Sequence, residues 1–293
     1  MEHAPEGDEL SMNTESDRTT SRPAKPIAPA FNLAWHMSGE KEDKAKSVEW
    51  AKEGSIEFED VSAKYLPNGD VVLKGVSLRV EGGSRVGVVG RTGCGKSTLL
   101  LTLQNMTIVV KGVVRVGGKQ IADINTRTLR GNIGVVQQEV RLANGTIRDC
   151  IDPYGQHSDD AILGALEEVG MGSDVRSLPL GLLTELTDTT RLLSAGQRQL
   201  LGIARALLQS ARIVVLDEPS SSVDEWTDAM VQGVMASAWR EATVIMVAHR
   251  LSTVADTDVT IVMDEGRVVE VGRTRDLLNR EGSELSRLTL NSG

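Results

Sequence analysis

One glycine-rich octapeptide has the composition and spacing of a phosphate-binding loop. It consists of Gly90-Arg91-Thr92-Gly93-Cys94-Gly95-Lys96-Ser97 and fits the P-loop pattern G-x-x-x-x-G-K-S/T. In such a loop, amide N–H groups converge on phosphate oxygens, the lysine reaches the β- and γ-phosphates, and the serine hydroxyl can ligate Mg²⁺. The hydroxyl of Thr98 can donate to the α-phosphate. The octapeptide therefore predicts a site for a nucleoside triphosphate with Mg²⁺.

Two consecutive carboxylates further along the chain could complete this chemistry. Asp217 and Glu218 directly follow an apolar strand-like run, Ile213–Leu216. At the end of a strand, Asp217 can hold Mg²⁺ through water, and Glu218 can accept a proton from the attacking water or orient it. Such a pair is usually no more than the start of a loop, but the P-loop upstream favours the catalytic interpretation.

A third motif has the features of a helix N-terminus. In Leu193-Ser194-Ala195-Gly196-Gln197, serine is a natural N-cap, and the residues that follow have helical apolar spacing. A capped N-terminus with a hydroxyl and glycine amides is an anion site in its own right. Any capped helix would look similar, so the motif alone is a weak signal.

These residues need a scaffold that brings them together, and hydrophobic patterning predicts an α/β one. A buried-type strand, Arg85–Val89, leads into the P-loop, and an apolar helical stretch runs from Lys96 to about Gln104. Further strands are predicted at Val113–Val116 and Ile133–Val136. The later strands alternate with helical segments, as parallel βαβ units require, and are predicted at Ile213–Leu216, Thr243–Ala248 and Val259–Met263.

Two further regions are predicted around this core. From Ser55 onward, apolar residues alternate with polar ones, which indicates a β-rich entry segment. Residues 158–168 have helical spacing and indicate a helical subdomain inserted before the sheet resumes. Residues 1–47 are polar, proline-containing and without apolar periodicity, so we expect a disordered leader there.

The P-loop, the LSxGQ-type motif and the Asp-Glu pair, in this order, resemble the ATPase domain of ABC transporters over about residues 55–278. The resemblance implies an α/β P-loop NTPase (RecA-like) core with an antiparallel β subdomain. It also implies an inserted α-helical subdomain at about 140–208, within a domain spanning 48–293. A closer resemblance, to the second nucleotide-binding domain of the multidrug resistance-associated (C) subfamily, is carried by Trp50, 54–58, 145–148 and 151–153.

The resemblance also implies roles for individual residues. Tyr65 matches the aromatic residue that stacks on adenine, and Gln138 matches the Q-loop glutamine that touches Mg²⁺ and the hydrolytic water. His249 matches the switch histidine that senses the γ-phosphate, and 221–224 match the dimer-facing D-loop. The implied catalytic residues are Glu218, His249 and Gln138, and the implied metal ligands are Ser97, Gln138 and Asp217. The implied nucleotide-binding set is Tyr65, the P-loop with Thr98, and the signature residues Ser194, Gly196 and Gln197.

Some positions depart from the family pattern on the side that would meet a membrane domain. Gln137 and Val140 stand where the Q-loop usually has prolines, Ala143 replaces a bulky aromatic residue, and Thr189-Thr190 replaces a glycine pair. These departures bear on the coupling of the ATPase domain to a membrane domain more than on ATP hydrolysis itself.

Composition excludes several other classes of function. The chain has 293 residues with 32 basic and 41 acidic side chains, and its net charge of −9 makes nucleic acid an unexpected partner. No apolar run approaches the roughly 20 residues that a bilayer span needs, and no secretory signal is apparent. The two cysteines, Cys94 and Cys150, have no metal or disulfide spacing, which indicates a reducing compartment.

The resemblance therefore implies ATP hydrolysis with Mg²⁺ that powers transmembrane export. We expect a second nucleotide-binding domain as partner, in a homo- or heterodimer, together with transmembrane domains that this chain does not encode. The expected location is the cytoplasm or the cytoplasmic face of a membrane. The chain could be a separate subunit, a fragment or an incomplete gene model. Two alternatives remain: a regulatory module that binds ATP without turnover, and a soluble ABC ATPase outside transport.

Overall fold

The computed structural model describes residues 53–137, 145–186, 193–217, 225–248 and 254–290. The strands are β1 (Ile56–Lys64), β2 (Val71–Val80), β3 (Arg85–Gly90), β4 (Ile108–Val116), β5 (Lys119–Gln120), β6 (Ile133–Val136), β7 (Ile213–Asp217), β8 (Thr243–Val247), β9 (Val259–Asp264) and β10 (Arg267–Arg273). The helices are α1 (Lys96–Leu103), α2 (Thr126–Gly131), α3 (Ile147–Ile151), α4 (Asp159–Glu168), α5 (Gly172–Ser177), α6 (Ala195–Leu208), α7 (Glu225–Ser237), α8 (Thr274–Asn279) and α9 (Glu284–Leu290).

The central sheet has the strand order β10-β9-β3-β8-β7-β6. Its strands are parallel from β9 to β6, and β10 pairs with β9 in the antiparallel sense. The inner residues of β3, β7, β8 and β9 are buried in unbroken runs, as expected for strands covered on both faces. Because neighbouring parallel strands end at the same edge, the carboxyl ends of β3, β8 and β7 lie side by side.

A second, antiparallel sheet has the order β2-β1-β4-β5. Alternate residues of β1, among them Ile56, Phe58 and Val61, are buried, which is the period-two pattern that the sequence predicted. Their side chains join a hydrophobic core with α1 and with Ile213 and Val215 of β7. The antiparallel sheet therefore packs on the same face of the central sheet as the helix that follows the P-loop.

The other face of the central sheet is covered by the inserted helices. Val214 and Leu216 of β7 belong to a second core, shared with Ile162 of α4 and Leu200 of α6. Because side chains alternate along a strand, one five-residue strand contributes to both cores. Each fully buried aliphatic side chain of this kind contributes about 1.5–3 kcal/mol to folding.

The α/β class, the antiparallel subdomain and the helical insertion are confirmed. The helix predicted at 158–168 is α4, with Ser158 as its N-cap. The antiparallel strand at the edge of the central sheet, β10, is not among the strands predicted from hydrophobic patterning. The domain boundaries at 47 and at about 140 lie outside the described residues and stay predictions. In the described parts of the chain, no helix has both the length and the apolar character needed to cross a membrane.

Candidate functional site

The P-loop connects the carboxyl end of β3 to the first turn of α1. Gly90, the last residue of β3, has φ +149, and a Cβ there would lie 2.2 Å from the carbonyl oxygen of Met263. A side chain at this position would push the loop away from β9, so glycine is required by close packing. Within the described residues, no side chain caps the N-terminus of α1. The first-turn amides and the helix dipole are therefore presented toward the loop, which favours an anion.

The side chain of Lys96, near the end of the P-loop, reaches back to the start of the loop. Its side chain is only 6% exposed, and its Nζ donates to the carbonyl oxygens of Gly90 at 2.8 Å and of Arg91 at 3.1 Å. These carbonyl dipoles compensate a buried ammonium group, which would otherwise be costly. The lysine thus holds a positive charge at the loop, where the phosphates of a nucleotide would bind.

Ser97 and Asp217 bring two oxygen ligands together. The Ser97 hydroxyl lies 3.5 Å from Oδ1 of Asp217, the last residue of β7. Ser97 is exposed and Asp217 is half-buried, so neither residue is enclosed in the hydrophobic core. A hydroxyl and a carboxylate fit Mg²⁺, which prefers oxygen ligands and binds through one or two carboxylates, waters and substrate phosphates. The pair that the sequence predicted as metal ligands is therefore brought into contact.

Tyr65 lies at the end of β1, beside the helix that follows the P-loop. Its hydroxyl is 2.8 Å from the Thr98 hydroxyl, and either group can donate. Tyr65 is 47% exposed whereas Thr98 is 5% exposed, so the aromatic ring is accessible while the threonine is buried. The base-stacking candidate and the α-phosphate candidate are thus in direct contact. Local sequence pattern gave no sign of this contact.

Cys94 is a packing residue within the loop. Its thiol is buried, and a Cβ on Gly90 would lie 2.7 Å from its Sγ. Burial raises the pKa of the Cys94 thiol, and the positive charge of Lys96 offsets part of this rise. The thiol of Cys94 is therefore a buried packing group, and the role of its backbone in phosphate binding stays a prediction.

The signature motif forms the predicted helix N-terminus. Ser194 is the N-cap of α6, and its Oγ accepts from the backbone N–H of Gln197 at 3.1 Å. The Oε1 of Gln197 accepts in return from the N–H of Ser194 at 3.0 Å, which completes a capping box. Ser194 is exposed and Gly196 is buried. A hydroxyl also has one hydrogen to donate, so Ser194 can bind an outside acceptor while it caps the helix.

The signature and the P-loop are separate parts of the domain. Ser194 belongs to the helical subdomain, and within the described residues its hydroxyl makes no hydrogen bond with the P-loop. The structure therefore brings together Tyr65, the P-loop, Thr98 and Asp217, and it does not add the signature residues to that group.

The three predicted catalytic residues lie outside the described residues. Gln138, Glu218 and His249 come shortly after β6, β7 and β8, respectively, and the D-loop match at 221–224 is also outside. The strands that precede them are neighbours in the central sheet and end at the edge where the P-loop begins. Their roles stay predictions. Of the departures on the membrane side, Gln137 is described and exposed, whereas Val140, Ala143 and Thr189-Thr190 are not described.

One backbone group that contacts the P-loop was not predicted from the sequence. The N–H of Gly266, in the turn between β9 and β10, donates to the carbonyl oxygen of Cys94 at 2.9 Å. The sequence Asp264-Glu265-Gly266 after an apolar strand is typical of a turn, so the turn itself could have been predicted. Its contact with a loop so far away in the sequence could not.

Comparison with known proteins gives one consistent family. A family model described as "ABC transporter" matches residues 73–221. The chain is 37% identical over 271 residues to "ATP-binding cassette sub-family C member 2" of Rattus norvegicus, with 91% of this chain and 18% of that protein covered. It is 39% identical over 233 residues to "ATP-binding cassette sub-family C member 3" of Homo sapiens, with 80% of this chain and 15% of that protein covered.

A solved structure has the same fold. It is described as "Structure of a bacterial Atm1-family ABC exporter with ATP bound" and superposes with a TM-score of 0.77 at 32% identity, covering 82% of this chain and 42% of that one. The chain spans less than a fifth of the length of the two curated relatives, at 18% and 15%.

Proposed function

The chain belongs to the ABC transporter family, and we propose that it binds ATP with Mg²⁺ and hydrolyses it to power export across a membrane. One observation carries the proposal: the Ser97 hydroxyl and the Asp217 carboxylate meet 3.5 Å apart beside a P-loop lysine. A P-loop lysine and serine together with an aspartate at the end of another strand of the same sheet is the arrangement that binds a magnesium triphosphate.

Each site residue within the described part of the chain has a defined role in the proposed binding of the nucleotide. Amide groups of the P-loop and of the α1 N-terminus surround the phosphates, and Lys96 supplies the positive charge. Ser97 and Asp217 would hold Mg²⁺, which, when bound, neutralises charge on the phosphate oxygens. The exposed ring of Tyr65 is available to stack on adenine.

Hydrolysis is assigned to residues that follow neighbouring strand ends. Glu218 comes directly after Asp217, and in our proposal its carboxylate orients the attacking water and accepts its proton. Gln138 would contact Mg²⁺ and the water, and His249 would sense the γ-phosphate. Phosphoryl transfer depends mainly on positioning and electrostatics, which is the role that we propose for these three residues.

The signature residues complete the site of a partner domain. Ser194, Gly196 and Gln197 lie at the start of α6, away from this chain's own P-loop, so their donors are available to the γ-phosphate held by another nucleotide-binding domain. The proposed partner is a second domain of this kind, identical or related. Transmembrane domains would perform the export, which places the working protein at the cytoplasmic face of a membrane.

Magnesium-dependent binding tests the first half of the proposal. Isothermal titration of the chain with ATP should show binding that weakens when Mg²⁺ is chelated, because the Ser97 and Asp217 oxygens then lose their metal. Asp217→Asn should lose most of this Mg²⁺ dependence. Binding of ATP with equal affinity in the presence and absence of Mg²⁺ would contradict the assigned ligands.

A mixed-dimer experiment tests the composite site. Lys96→Ala damages a chain's own P-loop, and Ser194→Arg places bulk and charge where the partner's γ-phosphate would bind. When the two variants are mixed, one composite site carries both lesions and the other carries neither, so activity should return although each variant alone is inactive. Specific ATPase activity of the wild type that does not change with protein concentration, with no ATP-dependent rise in mass by light scattering, would mean that each chain acts alone.

A further inference from the structure

The turn between β9 and β10 bridges the P-loop and the antiparallel sheet. The N–H of Gly266 donates to the carbonyl oxygen of Cys94 at 2.9 Å, and the carbonyl oxygen of Gly266 accepts from the N–H of Lys74 in β2 at 2.8 Å. Both polar backbone groups of one residue are therefore used, one toward the phosphate-binding loop and one toward β2.

The fit around Gly266 leaves no space for a side chain. Its φ is +81, and a Cβ on it would lie 1.9 Å from the carbonyl oxygen of Val72. On the other side, a Cβ on Gly95, the N-cap of α1, would lie 3.5 Å from Cα of Gly266 and 3.3 Å from Cδ2 of Leu73. The turn is therefore held between β2 and the start of the P-loop helix, with backbone atoms on both sides.

A second hydrogen bond reinforces the same connection. Nη1 of Arg267 donates to the carbonyl oxygen of Lys74 at 3.1 Å, so Lys74 is bound to the turn through both its N–H and its C=O. Behind the turn, Met263 of β9 pairs with Gly90 of β3. The turn is therefore anchored to the central sheet through β9, and it lies between the P-loop and β2.

The position of β2 matters because β2 is half of the hairpin that carries Tyr65. Lys64 at the end of β1 pairs with Val71 at the start of β2, and Tyr65 is the first residue of the connection between them. The other side of this hairpin is bound to the P-loop helix by the contact between Tyr65 and Thr98. A displacement of β2 relative to the P-loop would therefore move Tyr65 relative to the phosphates.

We propose that Gly266 is a positioning residue for the nucleotide, which sets the distance between the base-stacking side chain of Tyr65 and the phosphate-binding loop. This inference rests on the proposed function, because it concerns the binding of ATP at this site. Gly266 acts through β2 and the carbonyl group of Cys94. Its loss should therefore affect ligands that span both parts of the site more than ligands that occupy the P-loop alone.

The test compares two ligands on Gly266→Ala, with Gly118→Ala as the matched control. Gly118 lies in another hairpin turn with φ +75, and a Cβ there would meet nothing within 4 Å. Both substitutions therefore impose the same backbone strain, and only one causes a collision. Binding of ATP and of inorganic tripolyphosphate, each with Mg²⁺, is measured by titration calorimetry. The temperature is chosen so that every variant is fully folded.

We expect Gly266→Ala to weaken ATP binding up to about fivefold, the loss expected when the stacking of Tyr65 on adenine is removed completely. Its affinity for tripolyphosphate should stay within about twofold of the wild type, the spread expected for a change outside the contact surface. In a Tyr65→Ala background, Gly266→Ala should cost less ATP affinity, because the base contact is already lost. Gly118→Ala should bind both ligands as the wild type does.

Arg267→Ala keeps the proposal testable should Gly266→Ala fail to fold. It removes one hydrogen bond to β2 without a collision, and Arg273→Ala at the other end of β10 is its control. We expect Arg267→Ala to weaken ATP binding more than tripolyphosphate binding. Equal losses for the two ligands, or no loss, would overturn the positioning role. A wild type that binds neither ligand would instead refute the proposed function.

Discussion

Replacing Ser194 by alanine and by aspartate separates the two roles that we assign to its hydroxyl. The oxygen caps α6 by accepting from the N–H of Gln197 at 3.1 Å, and the hydroxyl hydrogen is proposed to face a partner's γ-phosphate. Alanine removes both functions. Aspartate keeps an accepting oxygen at the N-cap, where a negative charge also suits the helix dipole, but it opposes a phosphate.

The two substitutions should differ in stability by a measurable amount. Loss of an N-cap hydrogen bond costs about 1 kcal/mol in the free energy of unfolding. In a domain of this size, such a loss lowers Tm by about 2–4 °C. Ser194→Asp should instead melt close to the wild type. A carboxylate about 4 Å from a phosphate charge in a partly screened site is repelled by about 4 kcal/mol, so Ser194→Asp should lower ATPase activity at least about a hundredfold.

Thr146 provides a control with a similar N-cap. It caps α3 through Oγ1, which accepts from the N–H of Asp149 at 3.1 Å, while Oδ2 of Asp149 accepts from the N–H of Thr146 at 3.0 Å. The Thr146 hydroxyl also donates to the Asp149 carboxylate at 2.7 Å, whereas the partner of Ser194 is an uncharged amide. Thr146→Ala should therefore lose at least as much stability as Ser194→Ala and keep its ATPase activity. Thermal denaturation and steady-state ATPase assays on all three variants check these outcomes. Wild-type activity in Ser194→Asp would show that the hydroxyl does not face a phosphate.

Three further predictions concern chemistry, base recognition and pH. Glu218→Gln should bind ATP, lose most turnover and accumulate as an ATP-bound dimer in light scattering, and hydrolysis at the parent rate would contradict its assigned role. Tyr65→Ala should weaken ATP binding several-fold by calorimetry, because aromatic stacking contributes about 1 kcal/mol, whereas Tyr65→Phe should retain most of the affinity. Burial tends to raise the pKa of Asp152, but the backbone N–H groups of His157 and Gln156 together hold it below its usual value. Its stabilising effect is therefore present above the ordinary pKa of aspartate and is lost as pH falls through the lower folded-state value, so Asp152→Asn should flatten the decline of Tm in acid.

Local sequence pattern predicted the parts of the site that are contiguous in the chain. The P-loop was placed correctly between a strand and a helix because glycine spacing and apolar runs are local signals. The cap at Ser194 was predicted for the same reason. In both cases, the residues that define the feature lie within one turn or one loop.

Contacts between distant segments could not be predicted in this way. The hydroxyl groups of Tyr65 and Thr98 meet although the residues are 33 positions apart. Gly266 contacts Cys94 because β9 pairs with β3, which places the segments that follow these two strands side by side. These contacts depend on strand order and register, which hydrophobic periodicity does not specify. β10 was missed because its exposed and half-buried residues alternate without a strongly apolar face.

The contribution of β7 to two cores determines how the helical subdomain can move. Ile213 and Val215 are fixed against the antiparallel sheet and the P-loop helix, whereas Val214 and Leu216 contact the inserted helices. The strand itself is hydrogen-bonded on both edges, to β6 and β8, so it cannot follow the helices without breaking the sheet. A rotation of the helical subdomain would therefore slide the aliphatic side chains of α6 against those of β6 and β7. Such a contact has no hydrogen-bond register to break, so small sliding steps would leave Asp217, the proposed metal ligand at the end of β7, in place.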